Sequence, residues 1–194
     1  MNEITIEKHP LEPFLPLNTK LLMLGSFPPQ RKRWSMDFYY PNWNNDMWRI
    51  FGLIFFNNKN KFLNEKAKTF CKEEIINLLN TQGIGIFDTA TEIRRLQDNA
   101  SDKFLEVVRP TNIKELLTKI PGCEAIVTTG QKATDTLLDQ LNIAAPKVGG
   151  FTSFVLEGKP MKLFRMPSSS RAYPLALDKK AEVYQSMFHE LKMI

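Results

Sequence analysis

Two hydrophobic periods alternate along the chain. From Lys20 to Gly25 the run KLLMLG is continuously apolar and ends in glycine, the form of a buried parallel strand that feeds a loop. IGIFD, from Ile84 to Asp88, and EAIVTTG, from Glu124 to Gly130, repeat that form. TSFVLEGKPMKLFRM reads as a hairpin turning near Gly158 and Lys159, with its second arm leading into a serine-rich loop. Between these runs the spacing is helical. Met47, Ile50, Phe51, Ile54 and Phe55 share one face of a helix that Asn45 and Asp46 can cap, and further helices are predicted over about 61–79, 112–120, 131–141 and 176–192.

Strands alternating with helices predict an α/β fold, a three-layer α/β/α sandwich around a central, mostly parallel four-stranded sheet. Ligands of such sheets bind beyond the carboxyl ends of the strands, where the loops GSFPP, DTATE, TGQKA and PSSSR are all predicted to lie. With 194 residues, 43% of them hydrophobic, the sequence suits one domain spanning residues 1–194.

Composition removes several classes of function. The chain has no apolar run long enough to span a membrane, and MNEITIEKHPLEPF lacks a basic segment followed by an apolar one, so a cytoplasmic location is expected. Cys71, Cys123, His9 and His189 are too few and too scattered for an iron–sulfur or zinc site, so no metal or other cofactor is expected. A net charge of +5 favours an anionic partner without establishing one.

Candidate chemistry concentrates in residues 25–48, GSFPPQRKRWSMDFYYPNWNNDMW, which combine a Gly-Ser turn, prolines, three successive cations and seven aromatic rings. Arg31, Lys32, Arg33 and Arg49 flank the rings, while Arg165 and Arg171 flank the second polar loop, RMPSSSRAYP. Trp48, Phe51 and Phe55 are expected in the core. Gln131 and Lys132 follow Gly130 at a helix N-terminus, where free N–H groups favour phosphate; the spacing is not that of a Walker loop.

GSFPP, FYYPNWNNDMW, TGQKATDTL and MPSSSR, in that order, resemble motifs of the uracil-DNA glycosylase superfamily over roughly residues 20–190. The most similar branches are the DNA-deoxyinosine (hypoxanthine) glycosylases and the mismatch-specific uracil and thymine glycosylases. The resemblance implies a monomeric, monofunctional enzyme that hydrolyses the N-glycosidic bond of a flipped uracil, hypoxanthine or mismatched thymine in DNA.

Such an enzyme must stack the extruded base, read its edge and stabilise a cationic sugar. The resemblance assigns base contacts to Ser26, Phe27, Tyr40 and Asn45, with Tyr39 or Phe38 as alternatives to Tyr40 for the stacking ring. It gives Asn42 the positioning of water or base, although asparagine also serves turns and caps. Asp88 is the carboxylate placed to orient water, to stabilise the oxocarbenium charge or to accept from the base, or else it caps a turn. DNA contacts fall to Arg31, Lys32, Arg33, Gln131, Lys132, Ser168, Ser169, Ser170 and Arg171, the last entering the space left by the base. Two departures stand out. Phe27 occupies the place of a water-orienting Asp or Asn, and Met166 that of a histidine, so a lesion-binding protein without the chemistry is the alternative expectation.

Overall fold

A computed structural model describes residues 5–98 and 101–194. In chain order the strands are β1 (Ile6–Lys8), β2 (Leu21–Gly25), β3 (Leu63–Asn64), β4 (Thr69–Phe70), β5 (Ile84–Asp88), β6 (Ala90–Arg95), β7 (Leu105–Pro110), β8 (Ala125–Thr129), β9 (Phe151–Leu156) and β10 (Lys159–Met166). The α-helices are α1 (Met47–Phe56), α2 (Lys72–Gln82), α3 (Ile113–Thr118), α4 (Gln131–Leu138) and α5 (Leu177–Glu190).

The main sheet has the order β5-β2-β8-β10-β9. Its strand count is five, not the four expected: β5, β2, β8 and β10 run parallel, and β9 adds an antiparallel edge. That edge is the first arm of the anticipated hairpin. Its turn places Glu157 at φ 51° and Gly158 at φ 82°, the paired left-handed conformations that match the twist of adjoining strands. Every residue of β2, β5 and β8 is buried, which explains why their sequences read as continuous apolar runs rather than alternating ones.

Two features depart from the sequence pattern. Residues 61–71 are not the first half of a long helix but the small β3–β4 hairpin, and α2 begins only at Lys72. Asn64 Oδ1 accepts from Ala67 N and Lys68 takes a left-handed φ of 47°, so local turn chemistry overrides the helix-forming composition of this segment. A second sheet, β1-β6-β7, is antiparallel throughout. It matters for the site, since pairing of β1 with β6 carries the N-terminal segment to the carboxyl end of β5.

Trp48 and Phe51 are fully buried, as expected, and Phe55 packs against the same cluster. Phe188 of α5 meets Phe51 edge-on at 5.8 Å and Phe55 at 5.1 Å, locking the last helix onto α1. No helix among the described residues is long and apolar enough to cross a membrane.

Candidate active site

The carboxyl ends of β2, β5, β8 and β10 open into a cleft of about 940 Å³. Ser26, Phe27, Tyr40, Asn42, Asn45, Asp88, Gln131, Lys132, Ser168, Ser169, Ser170 and Arg171 all line it. Arg31, Lys32 and Arg33 do not. They form a short 3₁₀ turn in which Arg31 pairs with Asp37 at 2.7 Å and stacks on Trp34, while Lys32 holds Asp98 at 2.7 Å.

Asp88 closes strand β5 and is 6% exposed. Burying a carboxylate demands a partner, and the partner is His9, whose Nε2 lies 2.9 Å from Asp88 Oδ2. His9 Nδ1 sits between the N–H of Leu11 at 3.1 Å and its carbonyl at 2.8 Å. These contacts of Nδ1 fix the plane of the ring and with it the direction of Nε2 toward Asp88. Phe87 at 4.6 Å and Phe27, edge-on at 5.2 Å, complete its enclosure. Phe27 therefore braces the ring beside Asp88 while also facing the cleft. On the other side Gly25 leaves room for the carboxylate, since a Cβ there would stand 2.5 Å from Asp88 Oδ1 and force it to shift.

Tyr40 adopts a left-handed φ of 50° that presents its ring to the cleft, and its hydroxyl shares a 2.9 Å hydrogen bond with Thr129 Oγ1. Burial, and then the Asp88 charge, push the phenol well above its ordinary range, keeping it neutral. Tyr39 also borders the cleft, but it turns its hydroxyl to the Glu12 carbonyl at 2.8 Å and packs its ring into the core, where Phe38 lies as well.

Asn42 Oδ1 accepts from Asn44 N at 2.9 Å, the bond of a turn asparagine, which leaves the amide nitrogen for the cleft. Asn45 Oδ1 likewise accepts from Met47 N at 2.9 Å, a turn bond just ahead of α1, whose N-cap residue is Asp46 and carries no side-chain cap. The turn role and the cleft role are therefore not exclusive at these two positions: each side chain serves a local turn and also lines the cleft.

The serine loop is stitched to α1. Asp46 N donates to the Ser169 carbonyl at 2.8 Å, and Asn45 and Ser170 form an antiparallel bridge. Ser168 Oγ accepts from Ser170 N at 3.2 Å and Ser170 Oγ from Ala172 N at 3.3 Å, leaving both hydroxyl protons available to acceptors such as phosphate oxygens. Beneath the loop the fully buried Lys180 donates to Asp46 Oδ2 at 3.1 Å and to the Ser170 carbonyl at 2.7 Å. Arg171 reaches the same carboxylate, 3.2 Å from Asp46 Oδ1, and Asn44 Oδ1 at 3.3 Å. Gln131, by contrast, is engaged on both ends, donating to Asp135 and accepting from Arg165. Lys132 contributes its charge to the cleft wall.

Several functional groups escaped the sequence. His9 is one; Asp102, which accepts from Ser26 Oγ at 2.6 Å, is another. Burial raises the Asp102 carboxyl above its ordinary value, and the hydrogen bond from Ser26 only partly offsets the rise. Arg95 grips Glu7 through two 3.0 Å hydrogen bonds and donates to the Pro28 carbonyl at 3.1 Å, fixing the GSFPP loop to β1. Apart from the lone histidine of EKHP, whose place is set by strand pairing, no local signal marks these residues. Among the described residues no group of acidic, histidine or cysteine side chains is arranged to hold a metal.

No model of a known protein family matches the chain, and no curated protein does. The solution NMR structure of a "putative Uracil DNA glycosylase" from Methanosarcina acetivorans is similar in fold, with a TM-score of 0.62 and 21% sequence identity over 97% of this chain and 99% of that one. The two chains share an α/β fold along nearly their whole lengths.

Proposed function

We propose that residues 1–194 form a single glycosylase-like domain whose activity is that of a monofunctional DNA glycosylase, removing a deaminated or mismatched base by hydrolysis. The observation that carries this proposal is the buried Asp88 carboxylate at the floor of the cleft, oriented by His9 and screened by Phe27. The shared fold of the Methanosarcina protein supports it, as does the order of the sequence motifs. The three-layer arrangement belongs to the same proposal: the crossover from β2 to β5 runs opposite to that from β5 to β8, so right-handed connections put their helices on opposite faces of the sheet.

An extruded base enters the cleft against Tyr40 and Phe27, where stacking on one ring is worth about 1–3 kcal/mol. As the glycosidic bond lengthens, the sugar becomes cationic. A fixed carboxylate beneath it stabilises that charge or takes a proton from the attacking water. Asn42 Nδ2 donates to the water or to the base edge. The free N–H groups of the first turn of α4 and the charge of Lys132 favour the departing base anion or an adjacent phosphate. Ser168, Ser170 and Arg171 hold the strand at the rim, while the 31–33 turn lies outside it with Arg31 and Lys32 already paired to Asp37 and Asp98.

End-labelled duplexes bearing uracil, hypoxanthine, xanthine or a G·T mismatch, incubated with the protein and then heated in alkali, test the activity. Strand breaks that require alkali are expected. Breaks before alkali would replace water by an amine such as Lys103 or Lys132 as nucleophile, and no breaks on any substrate would favour a binding protein.

A further inference from the structure

Beside the cleft, on the far side of the Arg171–Asp46 ion pair, lies a second hollow of about 760 Å³. Trp43 and Arg49 line it with Lys59, Lys68 and Arg171, and two carboxylates, Asp46 and Glu65, also stand in its wall. Arg49 is its unusual member. It is 8% exposed, yet among the described residues its hydrogen bonds go only to the carbonyls of Trp43 at 2.9 Å and Asn45 at 3.0 Å, both from Nη1. Its guanidinium carbon stands 4.8 Å from the Trp43 ring and 5.7 Å from that of Phe70. No carboxylate of the described residues lies within ion-pair distance of it.

A buried cation without a counter-ion is costly unless something else balances it. Arg49 is held below its usual pKa, first by burial and then by the like charge of Arg171, which outweigh Asp46 and Glu65. Asp46 is already engaged by Lys180 and Arg171. Lys59 and Lys68 are both exposed and make no ion pair with any described residue, so the mouth of the hollow is positive as well. A volume of 760 Å³ falls in the range of ligand sites, about 300–1,000 Å³, enough for a phosphate with its attached sugar. Arg171 lines both hollows, so a strand leaving the cleft past Arg171 meets this one next.

We infer that the Arg49 hollow is a phosphodiester subsite, which takes a backbone phosphate of the nucleic-acid strand that flanks the nucleotide held in the cleft. Arg49 offers the donors not committed to the Trp43 and Asn45 carbonyls, while Lys59 and Lys68 close over the phosphate from the β3–β4 side. This assignment builds on the DNA reading of the cleft but requires no base excision.

Undamaged duplex DNA is therefore the probe. Its affinity for the full chain, followed by fluorescence anisotropy across a sodium chloride series, should weaken in Lys59→Ala/Lys68→Ala. The slope of log affinity against log salt should become shallower by roughly 0.9 for each phosphate that the variant no longer neutralises. Lys20→Ala/Lys119→Ala, which removes two exposed charges at the amino-terminal side of the sheet, should leave both quantities near those of the parent. In parallel, the Arg49 Nε–Hε resonance should move on adding DNA.

Equal loss of slope in the two double variants would reduce the hollow to general surface charge and overturn the assignment. So would an Arg49 resonance that DNA leaves in place. Movement with inorganic phosphate alone, and none with DNA, would make the hollow a small-anion site and likewise overturn it. Failure of base excision with the slope change intact would sink the glycosylase proposal and leave the subsite standing.

Discussion

His9 Nε2 stands 2.9 Å from Asp88 Oδ2 although 79 positions separate them in the chain. The contact joins the antiparallel sheet β1-β6-β7 to the end of the parallel one and gives a buried carboxylate a chargeable partner. His9→Phe should leave Asp88 unpaired and cost about 1–3 kcal/mol of stability in urea unfolding. Its single-turnover excision rate should fall further than its DNA affinity does. His9→Gln, whose amide can still donate, should recover part of the rate, which a purely space-filling histidine would not require.

Three strands of the parallel sheet, β2, β5 and β8, were legible because burial on both faces writes itself as unbroken apolar runs, and β10, whose burial alternates, was legible through its hairpin with β9. The loops at their ends, and with them most of the cleft, followed from that. The β6 and β7 segments, ATEIRR and LEVVRP, are short, half-exposed and rich in charge, so neither strand period stands out. His9 and Arg95 were hidden with them, since strand pairing rather than any local motif brings them to the site. The 61–71 hairpin was masked by lysines and alanine that favour helices where no turn intervenes.

Lys180 lies at the opposite end of the loop machinery, fully buried against Asp46 and the Ser170 carbonyl. Removing one partner of a buried pair strands the other. Lys180→Met should therefore cost about 3–5 kcal/mol by chemical denaturation. The double variant Lys180→Met/Asp46→Leu should recover a large part of that loss while still weakening DNA binding through the loosened serine loop.

Asp102 supplies a pH signature. Because its folded-state pKa is raised by burial, it contributes stability that is fully present below its ordinary value of 3.8 and is lost as pH rises through the raised one. Asp102→Asn keeps an acceptor for Ser26 Oγ and cannot ionise. Its stability relative to the parent should improve as pH climbs across that window, measured by thermal unfolding at a series of pH values. A constant difference at all pH values would mean that the carboxyl titrates normally.

Arg171 sits at the rim, tied to Asp46 and Asn44. If it leaves those partners to fill the space of an extruded base, Arg171→Ala should slow excision most for a firmly paired target. In a mismatch or a single strand, where unstacking costs less, the loss should be smaller. Uniform slowing on all substrates would make Arg171 a phosphate contact instead.

Asp88 carries the proposed chemistry, and its replacement tests that most directly. Single-turnover excision should be measured for the parent, Asp88→Asn and Asn42→Ala on the substrate the parent cleaves best, with DNA affinity determined alongside. Asp88→Asn should lower the rate by about 10²-fold or more while binding changes little, since the carboxylate acts mainly on the transition state. An Asp88→Asn protein as fast as the parent would contradict the assignment of the buried carboxylate as the catalytic group.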